Sequence, residues 1–132
     1  MFQEDYSDNR NHWCESETCN YLVKIKHGKY IFENRREDDY YHLWHPLFLE
    51  KSKVRKIEIT LRCVDAPENS WYGILWNSYV IPHSYVTLNL SGKGDSYRIC
   101  QVRRRIWRDI YPWSKLKCQM INNNKITIEL NN

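Results

Sequence analysis

The chain has 132 residues, of which 20 are basic and 16 acidic, and its net charge is +4. This length predicts one domain with its own core, and the 42% of hydrophobic residues excludes an intrinsically disordered chain. The charge is mild and mixed, whereas nucleic-acid-binding domains usually carry a clustered basic stripe, so we expect no nucleic-acid partner. No apolar run is long enough to span a membrane as a helix, so we also expect no membrane partner.

Alternation of apolar and polar residues with period two dominates the chain, and it is typical of half-buried β-strands. The aromatic content of 14%, with 6 Trp and 10 Tyr, supports strands because aromatic rings fit pleated surfaces. In chain order the pattern predicts a hairpin over 21–34, an irregular strand over 40–49, and strands over 54–63, 71–77, 84–90, 97–102, 106–111 and 125–130.

Turn signals separate these segments, beginning with His27-Gly28 and followed by the loop 65–69, the turn 91–95 and the turn 122–124. Only residues 112–120 lack a clear strand pattern, and we expect at most one turn of helix there. About nine short strands at regular spacing predict an all-β fold, namely an antiparallel two-sheet sandwich with little helix.

The predicted core follows from the same alternation. On the clearest strand Ile57, Ile59 and Leu61 share one face, while charged and hydroxyl side chains share the other. Large aromatics dominate small cores, so three tryptophans are assigned to the interior as well. The predicted core residues are Ile57, Ile59, Leu61, Val86, Leu88, Ile126, Ile128, Trp44, Trp76 and Trp113.

Eight segments containing aromatic, glycine or β-branched residues follow one another in a characteristic order. They are 4–9 with Trp13, 28–33, Trp44, 56–59, 72–76, Gly94 with 97–99, Trp107 with 112–113, and 124–128. Their order and spacing resemble one group of bacterial domains in the concanavalin A-like lectin/glucanase superfamily. The resemblance covers nearly the whole chain and implies a jelly-roll sandwich that acts as a binding or interaction module.

The chain departs from that group at three places. Asn77 stands where such domains often have Gly, and the hairpin at 103–105 lacks the usual Asn-Gly type of turn. In the group, further strands follow the segment that corresponds to 125–130. We therefore expect a single domain over 1–132 that is either a shortened member of the group or lacks its last strands. An open C-terminal edge would lower the stability of the chain or promote self-association.

Enzymatic hydrolysis of glycosides requires two carboxylates flanking the sugar bond. Glu58 is the one acid on the strand best suited to carry such a pair, Glu129 is the one acid on its own strand, and Glu33 has no acid two residues away. The sequence therefore predicts a protein that is not an enzyme.

The chain offers weak candidates for a metal site. Cys14 and Cys19 lie near His12, but no second cysteine pair completes the four ligands of a structural zinc. The loop 65–69 holds few of the oxygen ligands that calcium needs. We expect no metal and no cofactor. Five cysteines cannot all pair within one chain, which favours free thiols, with a Cys14–Cys19 disulfide as the alternative in an oxidising compartment.

Ligand binding is the function that the sequence favours, either of a carbohydrate or of a protein partner. Aromatic side chains near the ends of two strands could form a flat platform for sugars. An arginine and a tryptophan near the basic hairpin 103–105 could bind phosphate, carboxylate or sulfate groups. The predicted ligand-binding residues are Trp71, Tyr72, Tyr79, His83, Tyr85, Arg98 and Trp107.

Three other function classes remain open. They are a structural module of a larger protein, a glycoside hydrolase and a nucleic-acid-binding domain, of which the first is the main alternative. No signal peptide is visible after Met1, so a cytoplasmic location is expected if Met1 is the native start.

Overall fold

A computed structural model describes residues 2–36, 43, 45, 56–77, 84–117 and 124–129 of the chain, with the backbone alone at Asn77 and Asn124. This part of the chain contains nine β-strands and no helix. The strands are β1 (Ser16–Glu17), β2 (Tyr21–Ile25), β3 (Tyr30–Asn34), β4 (Lys56–Leu61), β5 (Trp71–Asn77), β6 (Ser84–Ser91), β7 (Ser96–Arg103), β8 (Ile106–Lys115) and β9 (Asn124–Glu129).

Every strand pair is antiparallel, and the strands form three sheets with the orders β1-β2-β3, β4-β9 and β5-β6-β7-β8. The predicted all-β, antiparallel fold with little helix is confirmed, and the sheets are consistent with a β-sandwich. The chain divides into two compact units, Met1–Glu50 and Lys51–Asn132. The expected single domain over 1–132 stays a prediction.

The first unit contains the three-stranded sheet. Its β2–β3 hairpin turns at His27 and Gly28, which have positive φ angles of 53° and 66°. Backbone hydrogen bonds in both directions between Lys26 and Lys29 close this two-residue turn, as the His27-Gly28 signal predicts. The short strand β1 was not predicted, because two residues are too few for an alternation pattern.

The two-stranded sheet of the second unit pairs β4 with β9. Ile57 lies opposite Ile128 and Ile59 opposite Ile126, and all four side chains are half-buried while their strand neighbours are exposed. The predicted alternation over β4 and β9 is therefore confirmed. Self-association through the edge of β9 stays a prediction.

The four-stranded sheet is a meander in which each strand pairs with its neighbours in sequence. Its two central strands carry the most deeply buried apolar residues of the second unit among those described, Leu90, Cys100 and Val102. Opposite residues on paired strands share a face of the sheet. We name one side the tryptophan face; on it lie Trp71, Tyr85, Thr87, Asn89, Ser91, Ser96, Arg98, Cys100, Val102, Trp107 and Asp109.

Strand β8 corrects two expectations. It continues through Pro112 to Lys115, where at most a helical turn was expected, and its ladder to β7 is irregular near Ile99. Among the described strands β8 pairs with β7 alone, and an edge strand tolerates proline because one side needs no ladder donor. Trp113 was assigned to the core but is 44% exposed, on a strand that has a partner on one side only among the strands that the structure describes.

Two other tryptophans, Trp44 and Trp76, were also predicted to lie in the core. Trp76 is half-buried, and Trp44 lies outside the described residues, as does most of the predicted strand 40–49.

Candidate functional site

An open pocket of about 420 Å³ lies at one end of the four-stranded sheet. It forms where β5 begins, β6 ends, β7 begins and β8 ends, so four strands contribute side chains to a small region. The lining residues combine two indoles, one guanidinium and several short polar groups: Glu68, Asn69, Ser70, Trp71, Ser91, Ser96, Arg98 and Trp113.

Local hydrogen bonds hold the loop beside this pocket. The amide and hydroxyl of Ser70 both donate to the carbonyl of Pro67, at 3.0 and 2.7 Å. The carbonyl of Ser70 in turn accepts from the amide of Gly92, at 2.8 Å. The loop that precedes Trp71 is thereby tied to the turn between β6 and β7, which fixes one wall of the pocket.

Arg98 is the central residue of the pocket. Its guanidinium carbon lies 5.1 Å from the ring centroid of Trp113 and 5.8 Å from those of Trp71 and Trp107. Distances below about 6 Å permit cation–π attraction. Three indoles therefore surround one cation, and the contacts hold the guanidinium in place.

The described residues offer Arg98 no hydrogen-bond acceptor. Its guanidinium donates no hydrogen bond to the described residues, and Nε is buried without an acceptor. A buried donor without an acceptor costs about 1–3 kcal/mol, and more when it is charged. The cation–π contacts offset part of this cost but do not replace an acceptor.

The acidic groups near the pocket are already paired. The carboxylate of Glu68 lies 2.8 Å from Nζ of Lys93, and that of Asp95 lies 2.6 Å from Nζ of Lys115. Lys115, followed by hydroxyl donation from Ser96 and Ser91, holds the pKa of Asp95 well below its usual value. Among the described groups around the pocket, Arg98 is thus the charge without a counter-ion.

Aromatic surface continues from the pocket along the tryptophan face. Trp107 contacts Trp71 edge-on, with ring centroids 6.3 Å apart, and contacts Tyr85 in the same manner at 6.3 Å. Beyond Trp107 the strands meet at the basic turn 103–105. The side chains of these arginines are exposed and have no ion-pair partner among the described residues.

A buried polar network lies at the centre of the same face. The amide of Asn89 donates to Oγ1 of Thr87 at 3.0 Å, and the thiol of Cys100 donates to Oδ1 of Asp109 at 3.1 Å. Thr87, Asn89 and Cys100 are each at most 2% exposed.

The predicted core residues of β6, Val86 and Leu88, are half-buried. Leu90, on the same side of β6 as these two residues, is 2% exposed, so both sides of this strand are buried and the polar Thr87 and Asn89 are buried as well.

The predicted ligand-binding residues are partly brought together. Trp71, Tyr85, Arg98 and Trp107 share the tryptophan face. Tyr72 does not, because consecutive strand residues point to opposite faces, and its hydroxyl is buried. Tyr79 and His83 lie outside the described residues. Four further lining residues were not predicted to bind a ligand, and the loop and turn signals beside them were the only indication in the sequence: Asn69, Ser91, Ser96 and Trp113.

A second aromatic cluster lies in the first unit, and two of its polar groups, the indole of Trp13 and the hydroxyl of Tyr30, donate hydrogen bonds within that unit. Trp13 stacks on His45 with ring centroids 3.9 Å apart, and its indole donates to Oε2 of Glu4 at 2.7 Å. Tyr6 stacks on Tyr30, whose hydroxyl donates to the carbonyl of Cys14. These contacts explain the cluster as part of the unit's packing.

Two carboxylates share one face of the β4–β9 sheet. Glu58 lies opposite Thr127 and Glu129 opposite Lys56, so the acids occupy diagonal positions. Oε1 of Glu58 accepts from Lys125 at 2.8 Å and from Lys56 at 3.0 Å, and these contacts lower its pKa to about 2. A catalytic acid needs the opposite shift, because it must hold its proton near neutral pH.

The described residues contain no group of three or more His, Cys, Asp and Glu side chains that could hold a metal ion. Glu68, an acid of the loop 65–69 that was weighed as a calcium ligand, forms an ion pair with Lys93. Four cysteines are free thiols, namely Cys14, Cys19, Cys63 and Cys100, and Cys118 lies outside the described part of the chain.

Within the part of the chain that the structure describes, no helix has the length and apolarity needed to cross a membrane.

Comparison with protein-family models found no match, and neither the curated proteins nor the solved structures gave one.

Proposed function

We propose that this chain is a non-catalytic carbohydrate-binding module and that its ligand occupies the pocket of Trp71, Arg98 and Trp113. One observation carries the proposal, namely the combination of indole surface with short polar groups in an open pocket. Sugars present both apolar C–H faces and hydroxyl groups, so sites that bind them need a flat apolar surface and a few placed polar partners.

The position of Trp113 supports this function. A large aromatic that is 44% exposed on an edge strand adds little to the core, yet it lines the pocket beside a fixed cation. Ser96 donates its hydroxyl proton to Asp95, which leaves its lone pairs to accept from a ligand, whereas Oγ of Ser91 already accepts from the amides of Asp95 and Ser96.

The proposed family is the bacterial group within the concanavalin A-like lectin/glucanase superfamily that the sequence resembles. The all-β antiparallel fold is compatible with it. Fold alone does not determine a ligand, so the pocket carries the functional argument. A protein partner in the same pocket, or a structural module without its own ligand, are the alternatives.

The absence of catalysis is part of the proposal. Glu58 and Glu129 share a face, which a hydrolase would require, but Glu58 is exposed, ion-paired and ionised down to a pH of about 2. We expect no release of reducing sugar from β-glucans. Hydrolysis that disappears in both Glu58→Gln and Glu129→Gln would show that the chain is an enzyme.

Calorimetric titration with neutral and acidic oligosaccharides tests the binding site. Trp113→Ala should weaken binding by about tenfold or more, since buried aromatic anchors dominate interfaces. Tyr111→Ala is the matched control, because Tyr111 lies on the same strand and is 48% exposed but belongs to the opposite face. Equal losses in the two variants, or no saccharide binding by the unaltered protein, would overturn the proposal.

A further inference from the structure

We propose that the pocket selects acidic sugars and that Arg98 binds the carboxylate of a uronic acid residue in the ligand. This inference rests on the proposed carbohydrate-binding function and names the class of saccharide that the site recognises.

The first argument is that the described residues offer Arg98 no hydrogen-bond acceptor. A guanidinium stays charged at all physiological pH values and carries five N–H donors. In this pocket none of them reaches an acceptor among the described residues, and Nε is buried. A neutral sugar can stack on indoles without any cation. An arginine held at the centre of the site therefore indicates a ligand with a negative charge.

The second argument is the charge balance around the pocket. Lys93 neutralises Glu68 and Lys115 neutralises Asp95, so neither acid is available to Arg98. The local field is positive as a result, and it favours an anion over a neutral ligand. Both lysines are engaged in these pairs, which makes Arg98 the cation that a bound anion would meet.

The third argument is the geometry of the guanidinium. Trp71, Trp107 and Trp113 surround it at 5.1–5.8 Å and restrict its rotation before any ligand arrives. Preorganisation of this kind reduces the entropic cost of binding. A planar guanidinium matches a planar carboxylate through two parallel hydrogen bonds, which a lysine ammonium cannot reproduce.

The test compares four size-matched ligands by calorimetric titration with the intact chain: a neutral oligosaccharide, a uronic-acid oligosaccharide, a sulfated oligosaccharide without carboxylates, and a single-stranded oligonucleotide. We expect the uronate to bind at least tenfold more tightly than the neutral sugar. The preference should decrease as the salt concentration rises, because a charge pair is partly screened.

Two variants separate the charge of Arg98 from its shape. Arg98→Lys keeps the charge and should lose most of the uronate preference, and Arg98→Gln should lose all of it while neutral-sugar affinity changes less. Arg108→Gln is the matched control, since Arg108 is exposed on the same sheet and lies opposite Gln101, away from the tryptophan face. Circular dichroism confirms that each variant is folded.

The outcomes distinguish the two proposals. Equal affinity for neutral and uronate sugars would overturn the role of Arg98 but leave carbohydrate binding intact. Tighter binding of the sulfated sugar than of the uronate would overturn carboxylate recognition. No affinity for any saccharide, or tighter binding of the oligonucleotide, would overturn both proposals. The comparison in the unaltered protein needs no variant, so a misfolded Arg98 variant does not prevent a decision.

Discussion

The thiol of Cys100 donates a hydrogen bond across the β7–β8 pair to Oδ1 of Asp109, with 3.1 Å between the two atoms. The side chain of Cys100 is fully buried. Burial is the main cause of a raised pKa for this thiol, and its hydrogen bond to Asp109 adds to the shift. The thiol is therefore protonated at neutral pH, and thiols in that state are poor nucleophiles.

Alkylation of the native protein should discriminate among the cysteines. Cys14 and Cys19 are exposed and should react with iodoacetamide, whereas Cys100 should react only after denaturant is added. Peptide mapping by mass spectrometry at successive times gives the rate at each site. Modification of Cys100 in native buffer as fast as that of Cys14 would contradict the buried pair.

The raised pKa of Cys100 also predicts a loss of stability at alkaline pH. Above the ordinary thiol pKa of 9.0 the unfolded chain releases this proton while the folded chain keeps it. Proton release then favours the unfolded state, so the free energy of unfolding should fall as pH rises above about 9. Urea titrations at several pH values measure the slope, and Cys100→Ser should reduce it. An unchanged slope in that variant would assign the alkaline effect to other groups.

The turn between β7 and β8 should become more stable when its arginines are replaced. Arg104 and Arg105 have positive φ angles of 50° and 68°, a conformation that costs non-glycine residues roughly 1–2 kcal/mol each. Asn-Gly is the favoured pair for such two-residue turns. The double change Arg104→Asn/Arg105→Gly should raise the free energy of unfolding by about 1–2 kcal/mol in a urea titration.

His27→Asn provides the comparison for that variant, because the corresponding turn already has Gly28 at its second position. The gain in the free energy of unfolding should be smaller than for the arginine double variant. In this turn only His27 is strained, because the second position is already glycine. A decrease in stability of the arginine double variant would mean that these side chains make contacts that outweigh the strain.

Gly73→Ala should strongly destabilise the four-stranded sheet. Gly73 pairs with Asn89, and a Cβ at this position would lie 1.9 Å from the carbonyl oxygen of Leu88, which as backbone cannot move aside. We expect a loss of several kcal/mol, or a chain that does not fold. In Gly28→Ala the nearest atom lies at 3.4 Å and the positive φ is the main penalty, so the loss should be about 1–2 kcal/mol. Thermal melts of the two variants check the order.

Most strands could be predicted because they alternate. In β4 and β9 the isoleucines lie on one face and the charged residues on the other, so the local pattern contains the answer. β8 was predicted to end too early, since nothing in its local pattern shows that it lies at an edge, where Pro112 is tolerated. The edge position results from which strands pair, and pairing involves residues far apart in the sequence.

The candidate site could be predicted only in part for the same reason. Trp71 and Arg98 were selected for their chemistry, but strand pairing alone places Trp113 beside them. Trp113 was assigned to the core because tryptophan is usually buried. Thr87 and Asn89 show the converse, since two polar side chains can be fully buried once they bond to their neighbours.

The grouping of indoles around Arg98 gives the pocket an optical property. Three of the chain's 6 tryptophans lie within 6 Å of one guanidinium, so a large share of the intrinsic fluorescence originates where a ligand would bind. Indole emission depends on the local electric field, and an anion that approaches Arg98 changes that field at all three rings together. Trp13 belongs to the other unit, where its indole donates a hydrogen bond to Glu4. The protein thus carries its own reporter of occupancy, without any attached dye.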